Sequence, residues 1–177
     1  MRLDTRAIGP ALAVLLTIGL AGAAAAQQPQ RPDCSAAEHR QFDFWVGEWD
    51  VTTPGGQAAG TNRITRILKN CVLLEEWSGA GGGSGRSFNA WSRADGRWHQ
   101  TWVDDAGTLL QLSGGLRDGR MILEGESKGR NGAIVKNRIT WSVIAGDGNR
   151  VRQLWENSTD GGSTWTTAFD GTYTRKR

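Results

Sequence analysis

Histidine is almost missing from this chain: His39 and His99 are the only two in 177 residues. That scarcity argues against a zinc centre and leaves little material for a Ser–His–Asp or Cys–His catalytic arrangement. Proline occurs four times against 25 glycines, and the glycines show no period of three, which excludes a collagen-like chain. An excess of one charge is also lacking. There are 21 Lys+Arg against 18 Asp+Glu, interspersed along the chain, so no basic stripe marks a nucleic-acid partner. What is abundant is tryptophan, with nine copies, far more aromatic bulk than a disordered chain carries.

Only the N-terminus holds a long apolar run. Arg2 and Arg6 precede an almost uninterrupted apolar stretch from Ala7 to Leu20, which closes in Ala21-Gly22-Ala23-Ala24-Ala25-Ala26 before Gln27. A basic start, an apolar core and an A-x-A exit describe a secretory signal peptide over residues 1–26. The competing reading is a membrane anchor, since the stretch reaches roughly 20 residues, but its small alanines and glycines favour cleavage. Lipid attachment at Cys34 would need a small-residue lipobox, and Arg31-Pro32-Asp33 is unlike one. The expectation is an exported protein, periplasmic or extracellular, with no membrane span after cleavage. It would carry an N-terminal segment over 27–41 and one domain over 42–177.

Both cysteines, Cys34 and Cys71, lie in the expected mature chain. In an oxidising compartment they most simply form one disulfide, the alternative being two separate buried thiols. The bridge would close a loop of about 37 residues and contribute ~3–4 kcal/mol.

Beyond residue 42 the chain reads as a meander of strands. Turn signals recur at Asp95-Gly96, Ala106-Gly107, Asp118-Gly119, Asn131-Gly132, Asp147-Gly148 and Asp160-Gly161, in steps of 11 to 16 residues. That is the rhythm of antiparallel hairpins. About ten alternating segments are expected: Phe44 to Thr53, Gly60 to Lys69, Cys71 to Ser78, Arg86 to Arg93, Arg97 to Asp104, Thr108 to Leu116, Arg120 to Ser127, Ala133 to Ala145, Asn149 to Ser158 and Thr164 to Thr174. No helical stretch separates them, so parallel βαβ folds are excluded. Only Ser35 to Gln41 resembles a short helix. A sandwich and a barrel both remain open. Consecutive hairpins without a long crossover favour an all-β antiparallel up-and-down barrel, which leaves no exposed edge. Gly79 to Gly85 is a glycine-rich loop, either a slack connection or a flexible gate at a barrel mouth.

Strand parity then nominates an interior. The fifth strand places Trp98, Gln100, Trp102 and Asp104 on one face and His99 on the other. The third gives Leu73, Glu75 and Trp77; the fourth Asn89 and Trp91; the sixth Leu109 and Gln111; the ninth Gln153 and Trp155. Tryptophans interleaved with amides and one carboxylate are what a cavity for a partly polar, partly apolar small molecule needs. A tryptophan-rich core whose amides bond one another is the plainer alternative. The candidate ligand-binding set is therefore Glu75, Trp77, Asn89, Trp91, Trp98, Gln100, Trp102, Gln111, Gln153 and Trp155. Glu75 is also the candidate catalytic acid or base if burial raises its pKa, whereas an ion pair with Arg63 or Arg138 would make it structural.

Two motifs carry a resemblance. Gly47-Glu48-Trp49, at the entry to the first strand, resembles the G-x-W of lipocalin-like barrels, where a first-strand tryptophan closes the barrel base. The longer string Phe42-Asp43-Phe44-Trp45-Val46-Gly47-Glu48-Trp49-Asp50-Val51, with Cys71-x-Leu73-x-Glu75-x-Trp77, looks like a family of secreted bacterial domains of unknown function. Trp98-x-Gln100-x-Trp102 and Ser158-x-Asp160-x-Gly162-x-x-Trp165 extend the resemblance over residues 41 to about 174. It implies a calycin-like or lipocalin-like barrel and brings no activity with it. Ser158 to Trp165 also fits the Asp-box of sialidase propellers, a hairpin-turn motif; one copy cannot build a propeller, so it is taken as turn chemistry.

Haem-bearing relatives of lipocalins, the nitrobindins, need a late axial histidine. His39 precedes the barrel and His99 falls on the wrong face. Asp43, Glu48, Asp50, Asp104 and Asp105 do not reproduce a calcium loop. No metal and no cofactor are expected. The function expected is an exported small-molecule-binding barrel of unknown ligand; the alternatives are a barrel enzyme using Glu75 and an interaction module acting through its exterior.

Overall fold

The structure is a computed structural model that describes residues 34–129, 131–146 and 148–177. The expected signal segment and the start of the N-terminal segment lie outside the described residues. Ten strands follow one another: β1 (Gly47–Thr52), β2 (Ala58–Ile67), β3 (Val72–Gly79), β4 (Ser84–Ser92), β5 (Arg97–Asp104), β6 (Leu109–Arg117), β7 (Arg120–Lys128), β8 (Ile134–Val143), β9 (Arg150–Ser158) and β10 (Thr166–Arg175). Each pairs antiparallel with its sequence neighbours, and β1 closes the ring against β10 through Trp49↔Arg175 and Val51↔Tyr173. The fold is thus a closed ten-stranded up-and-down β-barrel. Among the described residues no helix is long and apolar enough to cross a membrane.

Closure is a consequence of the period-two pattern. Along β8, Asn137, Ile139 and Trp141 are buried while their neighbours are not, and β5 buries Trp98 and Gln100 in the same way. A sheet dry on one face and wet on the other can satisfy both faces and every edge by curling shut. The hairpins supply the geometry. Between β6 and β7, Asp118 and Gly119 have φ of 50° and 73°, the pair of left-handed residues that a two-residue hairpin turn requires.

The N-terminal segment runs under one end of the barrel. Its helical part consists of two 3-10 turns, Ala37–Arg40 and Asp43–Trp45. Phe44 and Trp45, expected at the start of the first strand, therefore precede it. The physical reason is packing: Phe42 and Trp45 turn up into the barrel base and are fully buried. Cys34 and Cys71 are disulfide-bonded, with Cα atoms 5.1 Å apart. The bridge pins this segment to the β2–β3 turn, where Leu68, Lys69 and Asn70 hold φ of 49°, 57° and 65°. Three consecutive non-glycine residues in the left-handed region are costly. Arg40 braces the same turn by donating to the carbonyls of Cys34 and Asn70, at 3.0 and 2.6 Å.

The base is aromatic and solid. Phe42 stacks on Trp45 at 4.9 Å between ring centroids and meets Trp98 and Trp141 edge-on at 5.7 and 5.1 Å. Trp49, the tryptophan of the G-x-W string, donates its indole N–H to the Trp45 carbonyl at 2.9 Å. Above it lies the Arg175 guanidinium, 4.3 Å from the ring, which also donates to the Val46 carbonyl. Gly47 has a φ of 145°, which strains any other residue, and a Cβ there would also displace Arg175 Nη1, 2.1 Å away. Gly47 and Trp49 thus act together, one admitting the arginine and the other receiving it.

Candidate functional site

Above this base the interior changes character. Register sets a polar belt at mid-depth: β3 and β4 bring Glu75 opposite Ser87, and β4 and β5 bring Asn89 opposite Gln100. Ser87 Oγ donates to Glu75 Oε2 at 2.6 Å, and Asn62 Nδ2, from β2, donates to Glu75 Oε1 at 2.7 Å. Asn89 Nδ2 donates to Ser87 Oγ at 2.8 Å, and Gln100 Nε2 donates to Asn89 Oδ1 at 2.9 Å. The belt continues through Asn62 to Tyr173, which accepts from that amide at 3.3 Å and donates its phenol to Gln153 Oε1.

Over this belt lies a cavity of about 220 Å³ lined by Glu75, Trp77, Gln100, Trp102, Leu110, Ile139, Gln153, Trp155, Ala168, Phe169 and Tyr173. Its floor is buried, with Glu75 and Gln100 each 4% exposed. Its rim is half-buried to exposed, at Trp77, Trp102, Trp155, Phe169 and Ala168, and carries the β3–β4, β5–β6 and β9–β10 hairpins. The rim tryptophans are positioned by polar anchors outside the cavity. Trp102 Nε1 donates to Asp104 at 3.4 Å, and Trp155 Nε1 donates to Asn137 Oδ1 at 3.0 Å. Glycine supplies the room: a Cβ at Gly85 would be 2.2 Å from the Trp102 ring, and one at Gly60 2.8 Å from the Trp77 ring.

Of the ten residues nominated by parity, six line this cavity: Glu75, Trp77, Gln100, Trp102, Gln153 and Trp155. Asn89 stands behind the floor, holding Gln100 and Ser87. Trp98 belongs to the base, where its indole N–H bonds Gln41. Trp91 lies beside Ala36, Glu38 and His39 near the same end, away from the cavity. Gln111 is on the wrong face. It pairs with Thr101 on the exterior and is exposed, while Leu110 and Leu112 point inward, 3% exposed each. The run Leu109-Leu110-Gln111-Leu112 fits either parity, and burying two leucines beats burying one leucine and an amide. Residues missed were Asn62, Ser87 and Tyr173, along with Phe169. Asn62 and Tyr173 sit on strands whose polar members gave no tryptophan to mark the face.

The expected partner of Glu75 also needs correction. Neither Arg63 nor Arg138 reaches it. Arg63 pairs with Glu76, one residue along and so on the outer face, and Arg138 pairs with Glu156 at 3.0 Å while covering the Trp165 ring at 4.0 Å. Burial pushes the Glu75 carboxyl up from its ordinary value, against the hydrogen bonds from Ser87 and Asn62. Burial, reinforced by Glu75, likewise raises the Tyr173 phenol well above its usual range.

The remaining nominations resolve locally. The glycine-rich loop is a tight, hydrogen-bonded hairpin between β3 and β4. Gly79 N–H donates to the Gly83 carbonyl at 2.7 Å, and Ser84 is held by Asp105 of the adjacent hairpin, also at 2.7 Å. Ser158 to Trp165 is a turn, as read from sequence. Asp160 accepts from the Thr164 hydroxyl and amide and from the Ser158 hydroxyl, which hold its carboxyl far below the usual range. His99 stands on the outer face against Asp95 at 2.8 Å. Among the described residues no three His, Cys, Asp or Glu side chains gather as a metal would require. The outer face exposes Phe88, Val103 and Leu109, the last two opposite each other across β5 and β6.

No protein-family model matches the chain, and no curated protein matches it.

Proposed function

We propose that this barrel is an exported protein that binds a small, partly apolar molecule in the cavity above Glu75. The observation that carries the reading is the cavity itself, with tryptophan walls over a floor of directed hydrogen-bond groups. Concave, mostly apolar sites with a few fixed polar groups are how proteins hold small ligands. A dry cavity of 150 Å³ accommodates benzene, so about 220 Å³ scales to a ligand of roughly nine heavy atoms. The disulfide and the apolar N-terminal run support export, and the F-D-F-W-x-G-E-W string supports kinship with secreted bacterial barrels of that pattern.

The test is native mass spectrometry of protein recovered from the periplasm of an expressing bacterium. We expect a mature chain beginning at Gln27 and a co-purifying small mass, lost in Trp155→Ala while that variant still melts cooperatively. A wild-type protein that never carries a ligand, together with equal melting of a cavity-filling Ala168→Trp variant, would count against binding.

A second reading rests on the buried, arginine-free Glu75 facing the cavity with its carboxyl raised. There it acts as a general acid or base on a bound substrate. Glu75→Gln would then abolish turnover of the co-purifying molecule without unfolding the barrel, whereas a pure binder shows no turnover to lose.

A further inference from the structure

Among the described residues Glu75 is the one buried carboxylate. Glu76, Glu156, Asp170 and Asp43, on the other hand, each pair with an arginine. Glu75 is 4% exposed and has two neutral donors instead.

Those donors have fixed directions. Asn89 Nδ2 reaches the Leu73 carbonyl at 3.3 Å as well as Ser87 Oγ. A backbone carbonyl can only accept, so the Asn89 amide cannot be turned around. Its oxygen must then accept from Gln100. Ser87, already accepting from Asn89, sends its own proton to Glu75. The chain Gln100→Asn89→Ser87→Glu75 therefore runs one way, and Asn62 adds a donor on the other oxygen. Aligned hydrogen bonds reinforce one another at low dielectric. Everything that touches the carboxyl prepares it to be an anion, yet nothing beside it cancels the charge, and a buried uncompensated charge is costly.

The walls suit the missing charge. Trp102 and Trp155 spend their indole N–H groups on Asp104 and Asn137, leaving ring carbon to line the cavity. Trp77 and Phe169 stand at 81° to one another, 6.0 Å between centroids, as two sides of a corner. Rings set around a space with a carboxylate at one end attract organic ammonium ions, whose charge is held by ring quadrupoles at little desolvation cost.

We propose that the ligand of this cavity is a compact organic cation, an alkylated ammonium seated among Trp77, Trp102, Trp155 and Phe169 with its charge over Glu75. The proposal rests on the binding reading above and names the chemical class of the ligand. In the empty barrel burial pushes the Glu75 carboxyl up, and an entering cation pulls it back down, releasing protons wherever the carboxyl is protonated beforehand. The groups facing the carboxyl are Asn62 from β2, Ser87 and Asn89 from β4, Gln100 from β5, Gln153 from β9 and Tyr173 from β10. Tyr173 alone among these titrates, far above the range concerned.

The experiment compares choline with 3,3-dimethylbutan-1-ol, its uncharged carbon isostere, by titration calorimetry and tryptophan fluorescence on the full mature chain. We expect choline to bind at least about tenfold more tightly than the alcohol at pH 8. Its advantage should shrink as pH falls through the Glu75 titration, and protons should be released on binding, read from two buffers of different ionisation heat. Glu75→Gln should bring the two affinities together. The pH series on unmutated protein decides the matter even if that variant folds poorly. Equal or tighter binding of the alcohol, with no proton release, overturns the cation and leaves the cavity reading standing. Failure of both probes at millimolar concentration also overturns the cation, and the cavity reading falls with it only if no ligand co-purifies.

Discussion

The two ends of this barrel are built from the same residue and do opposite things with it. At the base, Trp45, Trp98 and Trp141 close on Phe42, and Trp45 on Trp141, at about 5 to 6 Å between centroids, while Trp49 meets Tyr173 at 6.2 Å; each tryptophan is at most 1% exposed. At the mouth, Trp77, Trp102 and Trp155 stand apart and enclose space. The difference lies in what each ring meets. A base tryptophan meets another aromatic ring and fills the interior to normal packing density. A mouth tryptophan lies against a strand glycine or hydrogen-bonds Asp104 or Asn137, with Trp77 alone meeting a ring, that of Phe169, and the three leave space between them. Tryptophan content therefore says little by itself about whether a barrel is solid or hollow.

That contrast can be broken most severely at the base. Trp45→Ala removes a fully buried ring that three other aromatics touch. We expect a loss of about 3–5 kcal/mol in denaturant unfolding. A loss below about 1 kcal/mol would mean that the base is not the tight end. Next in size is the tether that brings the plug to the base. Replacing both Cys34 and Cys71 with serine should cost about 3 kcal/mol, read as a lower urea midpoint with the cavity's ligand affinity intact. A ligand-affinity loss larger than the stability change would show that the plug shapes the mouth as well.

The smallest expected effect belongs to the polar floor. Burial pushes the folded Glu75 carboxyl above its ordinary value of 4.5. Below that value both folded and unfolded chains are protonated and burial costs nothing through ionisation. As pH rises, the unfolded chain releases its proton first, and stability falls until the folded carboxyl ionises too. In the ligand-free protein Glu75→Gln should melt a few degrees higher than the parent at pH 8, with the gap closing near pH 4. A gap independent of pH would place the origin of the effect in packing rather than charge.

Much of the architecture was legible because it is local. Period-two alternation and regularly spaced Gly turns locate all ten strands to within a few residues, and parity alone sends Glu75, Gln100 and Trp102 inward and His99 outward. Legibility failed where both parities were equally apolar, at Leu109-Leu110-Gln111-Leu112. It failed again where a residue's role depends on a strand far away in sequence. Tyr173 reaches Asn62 across 111 positions. Glycine was read mainly as turn punctuation, yet Gly60 and Gly85 are seats for tryptophan rings, a role visible only once the facing strand is in place.

By itself, then, the chain's order of residues determined the number of strands, the inward and outward faces of those whose two parities differ in polarity, and the pairing of its two cysteines as the simplest disulfide. These follow from the backbone's two-residue repeat and from composition, neither of which needs a distant partner. Only the tertiary structure decided the depth at which each tryptophan lies, and that Glu75 faces amides and a hydroxyl while Arg63 and Arg138 stay on the outer wall. Those depend on register between strands, and a shift of one residue would exchange Glu75 for Glu76, and with it a carboxyl on the cavity floor for one in a surface ion pair.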